Sequence, residues 1–149
     1  MNLNVSKEFF DDVKESFLQL NENSRLDPEI KEVVLRWQKS PLLDKIVPRW
    51  SCQGHSDTHS DSDYYIIFCT QDDGADILYD IFDEFCSIEH NCAGWNYSVI
   101  KLIHQNHKKA EPHIEIGRYS EGHQETINYM KALWLAKLQE IEDNHEQYK

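Results

Sequence analysis

Lysine and arginine are missing from residues 50–100, an interval that holds ten aspartates and glutamates. The flanking thirds are close to balance, with eight basic against nine acidic residues over 1–49 and seven against eight over 101–149. Almost all of the formal charge of −12 therefore sits in one third of the chain. A field of that sign repels nucleic-acid phosphates and attracts cations and basic protein surfaces. Nucleic acid is accordingly not expected as a partner, whereas a basic protein surface is.

Other shortages narrow the class. Five glycines and four prolines in 149 residues exclude a fibrous or low-complexity chain. No apolar run approaches the roughly 20 residues needed to span a bilayer. Met1-Asn2-Leu3-Asn4-Val5-Ser6-Lys7 lacks the basic start and apolar centre of a signal peptide, so a cytoplasmic location is expected. Cys52, Cys69, Cys86 and Cys92 then read as thiols, ligands or small buried groups rather than disulfides. The sequence has no phosphate-cradling loop, hydrolase elbow, dinucleotide fingerprint or metalloprotease helix. It does have enough for one core. Hydrophobic residues make up 40% of the chain, including 4 Trp, 7 Tyr and 6 Phe. A chain of this length buries roughly two-thirds of its unfolded surface.

Apolar spacing predicts an amphipathic helix over residues 5–20, with Ser6 as N-cap and Phe9, Phe10, Val13, Phe17 and Leu20 as its stripe. A second helix is expected to start at Asp27-Pro28, carry Ile30, Val33, Val34 and Trp37, and stop before Ser40-Pro41. Residues 46–51 form a short candidate strand that Pro48 confines to an edge or a strand start. Residues 64–70 are a continuous apolar run, as in a strand buried on both faces. A helix over 75–85 presents Ile77, Leu78, Ile81, Phe82 and Phe85, with an acidic start that suits its dipole. After a connection over 86–94, strands are expected over 95–103 and 111–119, joined by a hairpin connection over 106–110. A last helix then reaches about Asn144 with Ile127, Met130, Leu133, Trp134, Leu138 and Ile141 inward. This order implies one domain: an N-terminal helical pair over 1–45 and an α+β core over 46–149. The expected architecture is a two-layer sandwich, with a mainly antiparallel sheet of about four strands and helices packed on one face.

Residues 50–63 concentrate the reactive side chains, with one cysteine, two histidines and three aspartates. Cys52-x-x-His55 can point a thiolate and an imidazole at one centre, and His104-x-x-His107 offers a second pair. Together they would make a CysHis₃ zinc tetrahedron if the fold joined them. The alternation His55-x-Asp57-x-His59-x-Asp61-x-Asp63 would suit another divalent ion if extended, or a solvated loop capping its own backbone. As an enzyme, Cys52 would be the nucleophile and His55, His104 or His113 its base, although nearby carboxylates disfavour a thiolate. His113-x-Glu115-x-x-Arg118 offers a general-base or ligand pair, or a polar pair on a solvated sheet face. Trp50, Ser51, Gly54, Asp57, His59, Asp61, His113, Glu115 and Arg118 complete the candidate binding surface.

The run Pro48-Arg49-Trp50-Ser51-Cys52-Gln53-Gly54-His55, followed by an acidic loop and Tyr65-Ile66-Ile67-Phe68, resembles a pattern in small phage and bacterial proteins. These carry a Ser-Cys-x-Gly-His turn ahead of a Tyr-Ile-x-Phe strand, and the resemblance covers about 20 residues of this sequence. Ser51-Cys52-Gln53-Gly54 is also similar to a turn of the tRNA wybutosine-synthesising methyltransferases. That match is four residues long, His55 departs from it, and the acidic segment opposes a tRNA partner. The phage-type resemblance carries no known activity of its own, but small acidic phage proteins often act in a host by binding a factor or sequestering a small ligand, which makes a host-interaction or inhibitor role the expectation. The expectation is therefore a small acidic binding protein with the Cys52–His55 turn at its site. A zinc- or cysteine-dependent hydrolase or transferase, and a DNA-mimic inhibitor, are the alternatives.

Overall fold

The computed structural model describes residues 2–24, 28–51, 63–89, 94–104, 107–119 and 124–148. Ser6 caps the first helix, α1 (Lys7–Leu18), by accepting a hydrogen bond from the Phe9 amide. The helix buries Phe9, Phe10, Val13 and Phe17, the stripe expected from spacing. Helix α2 (Pro28–Trp37) follows, then a 3-10 turn (Pro41–Asp44) capped by Ser40. Strands β1 (Ile46–Ser51) and β2 (Asp63–Thr70) come next. The chain continues through helix α3 (Gly74–Glu89), strands β3 (Trp95–Leu102) and β4 (Glu111–Tyr119), and helix α4 (Gln124–Asp143). Helix α3 runs one turn past the expected end because Cys86 extends the buried row of Leu78, Ile81 and Phe85.

The four strands form one antiparallel sheet in the order β1-β2-β4-β3. The fold is α+β, as expected. Strand β4 lies between β2 and β3, so the connection through α3 crosses over a neighbour added later in the sequence. Central β2 is buried at Tyr64, Ile66, Ile67, Phe68, Cys69 and Thr70, the outcome its unbroken apolar run implies. Between β2 and β4 the strands approach closely at Gly117. A Cβ there would lie 2.8 Å from the Tyr65 Cβ, so any larger residue must part the strands.

Alternation gives the two sheet faces different neighbours. Ile66, Phe68, Ile114 and Ile116 share one face, since Ile66 pairs with Ile116 and Phe68 with Ile114. Trp37 of α2, Trp134 of α4 and Phe85 of α3 close on it, with the Trp134 ring 5.6 Å from Trp37, 5.6 Å from Phe68 and 5.1 Å from Phe85. Cys69 and His113 point the other way, toward α1. The N-terminal helices thus take different partners: α2 packs alongside α4, while α1 packs on β1 and β2. Lys137 of α4 is buried and gives its ammonium to Glu84 of α3 and, at 3.1 Å, to Glu140. Among the described residues, no helix is long and apolar enough to cross a membrane.

Candidate functional site

Of the residues singled out by sequence, the turn itself is not on view. Cys52, Gly54, His55, Asp57, His59 and Asp61 lie outside the described residues, and Trp50 and Ser51 are placed only as the last two residues of β1. The described partners are His104, His107, His113, Glu115 and Arg118. The structure brings the three histidines together, leaves Glu115 farther along the His113 face of β4, and puts Arg118 on the opposite face.

The histidines gather around one ring. Phe9, fully buried on α1, lies 5.8 Å from the centroid of His104, 5.1 Å from His107 and 5.5 Å from His113. Two features of the backbone cause this. His113 is on the α1 side of β4 by strand alternation. The chain after β3 turns back, with the His107 amide donating to the His104 carbonyl at 3.0 Å, and this sets the two rings 6.0 Å apart.

Arg49 completes the cluster, and the sheet register explains how. Pro48 pairs with Phe68 and Trp50 with Ile67, so Arg49 is the extra residue of a β-bulge. Its guanidinium lies over the Phe9 ring, 5.4 Å from the centroid. It donates to the Ile103 carbonyl and, from Nη1 at 2.9 Å, to His113 Nε2. His113 Nδ1 is 2.8 Å from the Glu111 carbonyl, which only accepts, so Nδ1 carries the proton and Nε2 is the acceptor. Burial pushes the His113 imidazole down to about 4, and the Arg49 charge works in the same direction. His104 is also lowered, by burial first and then by Arg49 and His107.

Carboxylates fasten the same cluster to α1. His107 Nε2 donates to Asp12 at 2.6 Å. Glu111 accepts from the Ser6 amide at 2.7 Å and from the Ser6 hydroxyl at 3.1 Å, which places a negative charge at the helix N-terminus. These contacts join α1, β1, β4 and the segment after β3. They leave His113 no free nitrogen for proton transfer.

A zinc ion shared by His104 and His107 would need a nitrogen of each about 2 Å from one point. His107 instead directs Nε2 to Asp12. Among the described residues, no group of three or more His, Cys, Asp or Glu side chains is placed to hold a metal ion. Cys69 and Cys86 are buried, and burial pushes the Cys69 thiol up to about 12, well out of the thiolate range.

Glu115 shares a sheet face with His113 but is only half-buried, and it accepts from Asn96 Nδ2 at 2.7 Å. Arg118 lies on the opposite face, paired with Tyr64 and Trp95 across the sheet. The sequence motif is therefore divided between two surfaces.

The acidic third is best seen at α3. Asp72, Asp73, Asp76, Asp80, Asp83 and Glu84 are all exposed at or along this helix. Asp73 pairs with Lys45 and Glu84 with Lys137. Among the described residues, no ion pair reaches Asp72, Asp76, Asp80 or Asp83. Tyr79, 54% exposed, stands between Asp76 and Asp83 on the helical face given by spacings of three and four. Its ring packs edge-on against Tyr97 of β3, with centroids 5.4 Å apart.

Sequence reading missed Phe9, Asp12, Arg49 and Glu111 as members of the histidine cluster. Arg49 carried one usable signal: it follows a proline in an edge strand, where bulges re-aim side chains. Comparison with protein-family models, with curated proteins and with solved structures returns no match to this chain.

Proposed function

We propose that the protein is a non-enzymatic binding protein that engages a basic protein surface through the acidic third of its chain. The observation that carries this reading is the row of exposed carboxylates at α3 around Tyr79, which have no ion-pair partner among the described residues. Four neighbouring like charges raise the energy of the folded chain through mutual repulsion, and a cationic partner relieves that cost. An exposed tyrosine among them gives an ammonium or guanidinium an aromatic face as well. The histidine cluster supports the same reading from the other side of the sheet. Its hydrogen bonds are used in holding α1, so it serves the scaffold rather than turnover. The likeness to small phage proteins agrees with a role in binding a host factor.

A lysine homopolymer is the direct probe. Its binding should be strong at low ionic strength and weaken steeply as sodium chloride rises past the point where the screening length is ~10 Å. Replacing Asp72, Asp76, Asp80 and Asp83 together with Asn should remove most of the binding while the chain stays folded. Binding that ignores both salt and the four substitutions would refute the reading.

A further inference from the structure

Resting on that basic-partner reading, we propose that the partner docks as an extended strand added to the outer edge of β3, turning alternate basic side chains toward Asp76 and Asp83. Strand β3 ends the sheet, and its eight residues pair with β4 in unbroken register from Trp95–Arg118 to Leu102–Glu111. It has no proline and no bulge, and Lys101 is its one charged residue. Among the described residues, no backbone hydrogen bond outside the sheet ladder reaches β3. A strand edge of this kind is a template for another strand unless something blunts it.

The acidic helix lies along that edge. Tyr79 and Phe82 of α3 contact Tyr97, and Phe82 and Phe85 contact Trp95, so α3 runs beside β3 on one face. Asp76 is near enough that its charge, after burial, helps to push the Tyr97 phenol up. Asp76 and Asp83 are seven residues apart, roughly 10 Å along the helix. Side chains on one face of an added strand repeat every ~7 Å, and lysine and arginine stems span the difference. On the other face, Ile100 and Leu102 are half-buried, which suits apolar residues at the intervening positions. The occupant is therefore a strand that alternates basic and apolar residues.

A second copy of this chain fits less well. Antiparallel pairing of β3 with itself makes one continuous sheet and brings the two α3 helices to the same side. Asp76 and Asp83 of each copy would then approach like charges, which is unfavourable without a counter-ion.

The test uses a fluorescent octapeptide of alternating Lys and Val, a Glu–Val counterpart, and a Lys–Val peptide N-methylated on the amides of one strand edge. Anisotropy should show binding of the first and none of the second. N-methylation removes the pairing amides while keeping the charge, and it should weaken binding roughly tenfold or more. Asp76→Asn/Asp83→Asn, which alters no backbone group, should cost a similar factor. Equal binding of the methylated and unmethylated peptides would overturn strand addition and leave the basic-partner reading standing. Binding of a lysine homopolymer without any binding of the octapeptide would do the same. Sedimentation showing a dimer that the Lys–Val peptide disrupts would overturn the choice of occupant. If neither the homopolymer nor the peptide binds, both readings fail.

Discussion

The two edges of this sheet are finished in opposite ways. Strand β1 carries Pro48 and a bulge, and the bulged Arg49 is tied to His113, the Ile103 carbonyl and the Phe9 ring. Helix α1 covers it. Among the described residues, strand β3 has none of these devices, and an acidic helix lies along it instead. Blunting one edge with a proline, a bulge and a cover is the usual protection against unwanted strand pairing. Leaving the other edge straight, beside exposed carboxylates, limits pairing to strands of the complementary charge. Charge can thus do at β3 what shape does at β1.

The largest expected effect tests how much the sealed edge depends on its packing. Phe9→Ala should cost about 3–5 kcal/mol in a urea titration, because a fully buried ring that touches Arg49 and three histidines leaves a cavity that rigid strands cannot close. Val99→Ala on the open edge, where the side chain is 40% exposed, should cost under ~1 kcal/mol. Similar costs at the two sites would erase the contrast.

Acid titration comes next in size. The His113 ring has an ordinary value of 6.5 and is held at about 4 in the fold. Between those values the unfolded chain binds a proton that the folded chain refuses, so stability falls as pH drops from 6.5 to 4 and the loss is complete below 4. The loss should be of order 3 kcal/mol, from roughly 1.4 kcal/mol per unit. His113→Gln should flatten this part of the profile relative to the parent chain. An unchanged slope in the variant would show that other groups carry the acid sensitivity.

Much of this scaffold was legible in the sequence. Ser6 announced the start of α1, Pro48 placed β1 at an edge, and the unbroken run in β2 marked it as central. Each of those signals is local, set by the backbone chemistry of a few residues. The histidine cluster was legible only in part. His104, His107 and His113 stood out by residue type, but Phe9, Asp12 and Arg49 are roughly 60 to 100 positions away and meet them only through the fold, whereas Glu111, two residues from His113 on the same strand, joins through its carbonyl. A bulge has no fixed sequence pattern, so nothing short of the register could aim Arg49 at His113. Arg118 illustrates the opposite error. It sits five residues from His113, and an odd spacing along a strand puts it on the other face.

The smallest expected change in stability belongs to the open edge. Asp76→Asn/Asp83→Asn should move the unfolding midpoint little, within about 0.5 kcal/mol, because both carboxylates are exposed and have no ion-pair partner among the described residues. Relief of repulsion should make any shift stabilising. The same change should lower the dependence of lysine-homopolymer affinity on salt. A large destabilisation would mean that these groups hold the fold together rather than face a partner.

Amide hydrogen exchange, measured residue by residue with and without the Lys–Val octapeptide, compares the two edges in one experiment. In the free protein, the outward amides of residues 95–102 should exchange fast. Peptide should protect them while those of β1 stay unchanged, and the protection should vanish in Asp76→Asn/Asp83→Asn. Protection spread over α3 alone, or appearing at β1 instead of β3, would contradict strand addition at the acidic edge.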